Sequence, residues 1–234
     1  MNRKLTAALL VLAAVLANLA FSALGSVFNY PDVLDEPAAQ VLASFREHEG
    51  TVSAWFVVLA CSAALLAPIA IGVGRLSAAR AMRWAVPVGI AAAVVQVVGL
   101  LRWPVLVPGY AADAASANAG VAADGRDAFT TASDILGTAL GETVGYLLTA
   151  AWTLLVVLAL GRGFAGRWFQ VLGGASALLV LVGVLSPFGI EAVDVANFFG
   201  YVLWSLWLVA FAVVILVQER RRGAAAPGPA EVTA

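Results

Sequence analysis

Residues 84–106 read WAVPVGIAAAVVQVVGLLRWPVL, with Arg102 as the one ionisable side chain. A helix rises 1.5 Å per residue, so about 20 such residues cross the hydrocarbon core of a bilayer. Arg75, Arg80 and Arg83 precede the stretch, and the link that follows it carries Asp113, Asp124, Asp127 and Asp134 among other residues. Lysine and arginine gather in the short cytoplasmic loops of membrane proteins. This one segment therefore predicts a membrane helix that starts at the cytoplasmic face and ends outside.

Five more runs of the same kind cover about residues 5–27, 52–73, 135–160, 169–185 and 195–217. Composition agrees: 62% of the 234 residues are hydrophobic and 12% are charged, against roughly 25% charged in a soluble domain. The runs are continuously apolar and do not alternate, which favours helices over the strands of a membrane barrel. The expected fold is all-α, a polytopic bundle of six transmembrane helices over residues 1–222, followed by a disordered cytoplasmic tail at 223–234. Met1-Asn2-Arg3-Lys4 resembles the start of a signal peptide. The apolar stretch after it is about twice the usual length and has no small-x-small cleavage site, so it is read as a retained helix. Pro68 and Pro87 are expected to kink spans two and three, and Pro187 to close span five.

Ten of the thirteen basic residues fall in alternate links: Arg3 and Lys4; Arg75, Arg80 and Arg83; Arg162 and Arg167; Arg220, Arg221 and Arg222. Eleven of the fourteen acidic residues occupy the opposite links. An even number of spans with both termini in the cytoplasm fits this alternation. Lys4 is the sole lysine in a chain rich in Ala, Gly and Val, a codon-usage signature of a GC-rich bacterium, so a bacterial plasma membrane is expected. Trp84 and Trp168 suit the inner interface, and Tyr30, Trp103 and Tyr110 the outer one.

Both long links are expected outside. In the first, Asn29-Tyr30-Pro31-Asp32 reads as a turn, with Asp35 as a helix N-cap and Pro37 in the first turn. Leu34, Val41, Leu42 and Phe45 then share one side, and Gln40, Ser44, Glu47 and His48 another. That is a short amphipathic helix, lying at the interface or serving as a lid over an outward-facing cavity. The second link, residues 107–133, is rich in Ala, Gly, Ser and Asp. It predicts a mobile middle, with the part after Asp127 extending span four.

Ionisable groups inside spans are costly and mark candidate sites. Arg102 stands 19 positions after Arg83 and Glu142 stands 20 before Arg162, about 28 and 30 Å along a helix. The two reach the same depth near the outer boundary on consecutive antiparallel spans, which allows an ion pair. Thr138, Glu142, Tyr146, Thr149 and Thr153 recur on one helical face of span four. Gln96 lies deeper on span three, and Asn18 and Asn197 are further candidates to line an outward-opening crevice. Gly137, Gly141 and Gly145 form a small-xxx-small ladder suited to close helix packing, inside the monomer before dimerisation. Arg102 and Glu142 admit three readings: a staple between helices, a ligand site, or a catalytic or proton-transfer pair.

One cysteine, Cys61, and one histidine, His48, argue against a metal, haem or iron–sulfur centre, which needs three or four such ligands. No cofactor is expected. Cys61 reads as a packing residue and His48 as an exposed one. There is no zinc-protease, nucleophile-elbow or phosphate-loop motif. Topology accounts for the arginines, so no nucleic-acid partner is expected. The expected partners are the lipid bilayer and a small-molecule or lipid ligand.

The chain resembles a family of bacterial membrane proteins, domain-of-unknown-function family 4386. The resemblance rests on Phe28-Asn29-Tyr30-Pro31-Asp32-Val33-Leu34, Glu36-Pro37, Leu101-Arg102-Trp103-Pro104 and the Gly141-Glu142 region. It implies a six-helix membrane fold and brings no activity. The leading functional expectation is a non-enzymatic accessory, sensing or binding component with an outward polar crevice. A small transporter or transporter subunit, and an intramembrane enzyme acting on a lipid-like substrate, are the alternatives.

Overall fold

The computed structural model describes residues 2–224. Those residues are overwhelmingly helical, with no strand. The last helix runs to Ala224, so the expected tail falls mainly on residues 225–234, outside the described residues. Six helical segments are long and apolar enough to cross a membrane: Arg3–Phe28, Glu49–Gly74, Arg80–Ala114, Ala119–Ala165, Arg167–Phe188 and Glu191–Arg222. This is the architecture of a multi-pass membrane protein.

Span one is α1 (Arg3–Phe28), capped by the Asn2 side chain, which accepts from the Lys4 N–H at 2.7 Å. A 3₁₀ turn (Asp32–Asp35) and α2 (Ala38–Glu47) follow. Span two is α3 (Glu49–Ala64) and α4 (Leu66–Gly74), and span three is α5 (Arg80–Val105) continued by α6 (Val107–Ala114). Span four combines α7 (Ala119–Ala132), a π-helical stretch (Ser133–Val144) and α8 (Gly145–Ala165). Span five is α9 (Arg167–Val182) with a 3₁₀ turn at Gly183–Phe188, and span six is α10 (Glu191–Ala224).

Consecutive spans pack side by side and α10 closes on α1, so the six form a ring. Arg3 pairs with Glu219 at 3.8 Å, which puts the start of α1 and the end of α10 at one end of the bundle. We call this the terminal end. The other end carries α2, α6 and α7 and is called the cap end. Around the ring, the large residues Leu19, Val94, Leu147, Leu158, Val171 and Val213 are exposed, as bilayer contact requires.

Aromatic side chains fill the interior in two layers. Toward the terminal end, Trp152, Phe169, Trp207 and Phe211 are fully buried. Toward the cap end, Trp103 is the hub. It stacks on Phe56 (centroids 4.8 Å apart, planes 6° apart) and meets Phe28, Phe45 and Phe129. Trp103 is 0% exposed, so it is not the interfacial anchor expected from its position. It instead joins α1, α2, α3, α5 and α7.

Several local expectations change. Pro68 cannot donate to the Ala64 carbonyl, and the helix breaks around Leu65, while α5 runs on through Pro87. Residues 107–133 form a helical hairpin, not a mobile loop. Asn118 caps α7 by accepting from the N–H groups of Gly120 and Val121, and Gly125 lets the two helices close. A Cβ on Gly125 would lie 2.7 Å from Asp113 Cβ and 2.8 Å from Ala114 N. The helix of the first link starts at Ala38, preceded by Pro37, because Asp35 is taken up in the 3₁₀ turn. Its amphipathic side is Val41, Leu42 and Phe45, all buried against the bundle. Cys61 is exposed on the helix surface and packs in no core.

Candidate functional site

The glycine ladder sets the site's geometry. Gln96, Gly99 and Arg102 occupy one face of α5 at three-residue steps and lie against Gly145, Gly141 and Gly137 of span four. A Cβ on Gly99 would sit 3.1 Å from Gly141 Cα and 2.9 Å from the Leu136 carbonyl oxygen. A Cβ on Gly137 would sit 2.7 Å from Arg102 Nη2, and one on Gly145 2.9 Å from Gln96 Nε2. The ladder thus packs α5 within the chain. Its missing side chains give the Arg102 guanidinium its space.

Arg102 is 7% exposed. Its Nη1 donates to the Gly99 carbonyl at 2.7 Å, and its guanidinium carbon lies 5.3 Å from the Trp103 ring centroid. Its Nε–H is buried without a hydrogen-bond partner. The guanidinium borders a cavity of about 260 Å³ at the cap end. Glu142, half-buried, and Thr138 line the same cavity. Arg102 and Glu142 make no direct ion pair, so the expected staple is not formed. The walls come from the 3₁₀ turn and α2 (Leu34, Glu36, Val41) and from α7 and the π-helical stretch (Phe129, Ser133, Asp134). Ser133 Oγ is a second buried polar atom without a partner. Tyr30, in the link beside α1, packs on Phe21 and Phe56. Burial pushes its phenol up to about 12, against a downward pull from Arg102 and with a small upward push from Glu142.

The polar stripe of span four divides. Thr138 and Glu142 face the cavity. Tyr146, Thr149 and Thr153 lie in α8 and meet α10. Tyr146 packs edge-on to Tyr201 at 5.6 Å. Gln96 Nε2 donates to the Tyr201 hydroxyl at 3.3 Å. Trp204 Nε1 donates to Thr153 Oγ1 at 2.8 Å, and that hydroxyl donates to the Thr149 carbonyl at 2.9 Å. Gln96, Tyr146 and Thr149 therefore belong to an inner interhelical cluster and do not line the cavity. The division comes at the end of the π-helical stretch, where the Gly145 N–H reaches back five residues to the Leu140 carbonyl. A change from i+5 to i+4 bonding alters the residues per turn and rotates whatever follows.

Asn18 and Asn197 do not join the cavity either. Asn18 donates to the Ala14 carbonyl and to Ser205 Oγ, bracing α1 on α10. Asn197 donates to the Val180 carbonyl at 3.0 Å, bracing α10 on α9. Sequence reasoning missed Glu36, Ser133 and Asp134 as cavity residues. The two acids had been absorbed into the charge pattern of the links, and no local spacing connects residue 36 with residue 134.

A family model described as "Domain of unknown function (DUF4386)" matches residues 5–212. No curated protein and no solved structure matches the chain. The chain belongs to the DUF4386 family.

Proposed function

We propose that this member of the DUF4386 family is a non-enzymatic binding or sensing component of the bacterial plasma membrane. In this reading both termini are cytoplasmic, and the cap-end cavity is a crevice open to the outside that receives a small polar ligand. The observation that carries it is the buried Arg102, which lines a cavity with no carboxylate bonded to it. A charge withdrawn from water costs several kcal/mol unless it is compensated. A ligand entering the cavity can supply the countercharge.

The surroundings favour binding over transport. Inward of Glu142, Trp204 of α10 donates to Thr153 of α8 and Gln96 of α5 donates to Tyr201 of α10, so these polar side chains tie helices together and do not face the cavity. The orientation follows the basic residues, since Arg75, Arg80, Arg83, Arg162 and Arg167 all fall in the links or adjoining helix ends at the terminal end.

The test places single cysteines in a Cys61→Ser background and treats intact cells with a membrane-impermeant maleimide. Thr130→Cys, at the cavity wall, is expected to label from outside. Arg80→Cys is expected to label only after lysis. The reverse pattern, or a Thr130→Cys that stays unlabelled until the cells are lysed, overturns the reading.

A further inference from the structure

We propose, resting on the binding reading above, that the crevice takes a compact zwitterion with one anionic group and one primary ammonium. An ethanolamine phospholipid headgroup and soluble phosphoethanolamine share this chemistry. Arg102 supplies the anionic half of the recognition. It is more than nine-tenths buried, its guanidinium has five N–H donors in a fixed fork, and no carboxylate pairs with it. A phosphate or carboxylate oxygen is the acceptor that geometry suits best.

The opposite half comes from Glu36, Asp134 and Glu142, which line the same cavity. Three carboxylates against one guanidinium make the site net acidic. An anion alone would gain Arg102 and be repelled by three acids. A cation alone would leave Arg102 without a paired anion and add a like charge beside it. Among the described residues no three Asp, Glu, His or Cys side chains group closely enough to hold a metal ion, so the acids do not form a divalent-cation cage. A molecule with both charges at its two ends satisfies both sets. The cavity, about 260 Å³, lies just below the roughly 300–1,000 Å³ of pockets for drug-sized ligands, which suits a headgroup-sized occupant. Its position at the cap end of spans three and four lets either source enter, from bulk solution or from the adjoining leaflet.

The test uses the full chain in phosphatidylcholine nanodiscs and reads the unfolding midpoint. Soluble phosphoethanolamine, or replacement of part of the lipid by phosphatidylethanolamine, is expected to raise Tm. Response to the soluble compound assigns a free ligand, response to the lipid alone assigns a headgroup, and either supports the proposal. Inorganic phosphate, ethanolamine and phosphocholine at matched concentration are expected to leave Tm unchanged. Arg102→Gln is expected to weaken binding by about ten-fold or more, as loss of a charge-assisted hydrogen bond would. Asp134→Asn, exposed and safe for folding, should weaken it by about three-fold. Should Arg102→Gln not fold, Asp134→Asn and Glu142→Gln carry the test.

No response to either zwitterion, an equal response to phosphate or ethanolamine alone, or unchanged binding in these variants overturns the proposal. If Thr130→Cys still labels from outside in that case, the outward orientation of the cap stands and the ligand class falls. If it does not label, the binding reading itself has failed.

Discussion

Span four carries two sets of polar residues that look alike in sequence and behave oppositely in the fold. In α8, Thr149 and Thr153 are buried, and the Thr153 hydroxyl accepts from Trp204 of α10 and donates to the Thr149 carbonyl. In the π-helical stretch, Ser133 Oγ has no partner and Glu142 faces a cavity together with an under-satisfied Arg102. A polar stripe on a membrane helix is thus no evidence of a site in itself. The inner threonine ties helices together, and the cap-end set faces a cavity that holds a buried guanidinium with no paired carboxylate. A buried charge without a partner is costly, so the cap-end set is the one whose cost calls for a ligand.

The largest effect that bears on this contrast should come from Trp103→Ala. It removes the ring on which Phe28, Phe45, Phe56 and Phe129 converge, and a buried Trp→Ala costs about 3–5 kcal/mol. Denaturant unfolding in detergent should show that loss, together with faster proteolysis of the cap helices. Undiminished stability would mean that the cap is not packed on the bundle as described. Next is Gly99→Ala, whose new Cβ would press on the Gly141 backbone and cost about 1–3 kcal/mol by overpacking. A neutral result would break the ladder that makes room for Arg102.

A paired substitution tests the contrast directly. Thr153→Val leaves the Trp204 Nε1–H without its acceptor and should cost about 1–3 kcal/mol. Thr138→Val, at the cavity wall, should change stability by less than about 0.5 kcal/mol. Equal costs would erase the distinction between the two sets. The smallest effect concerns Tyr30. With its phenol held near 12 against an ordinary 10.0, the unfolded chain loses its proton first as pH rises. The Tyr30 contribution to stability is therefore constant below pH 10 and falls between about 10 and 12. In alkaline titration of tyrosine absorbance, the difference between the unsubstituted chain and Tyr30→Phe should show a lagging phenol, and a difference curve of ordinary tyrosine would remove Tyr30 from the buried cap.

Much of the fold was legible in advance. Each of the six predicted runs overlaps a helical segment long enough to cross a membrane, and the glycine ladder does bring spans three and four together. The matched depth of Arg102 and Glu142 foreshadowed their shared cavity, although not the absence of a bond between them. The hairpin of α6 and α7 was not legible, because its Ala- and Gly-rich composition is also that of a flexible link. What orders it is contact, with Gly125 against α6 and Phe129 against Trp103.

The sequence by itself determined the membrane spans and the charge asymmetry of their links, because hydrophobic length and loop charge are properties of the local chain. Only the tertiary structure decided which polar groups find partners. A helix turns about 100° per residue, so the rotation and register of each helix set whether a side chain meets another helix, lipid or open space. The π-helical stretch and the glycine contacts fix that register for span four. They turn Thr153 toward Trp204, and they leave Arg102 beside a cavity walled by residues from distant parts of the chain.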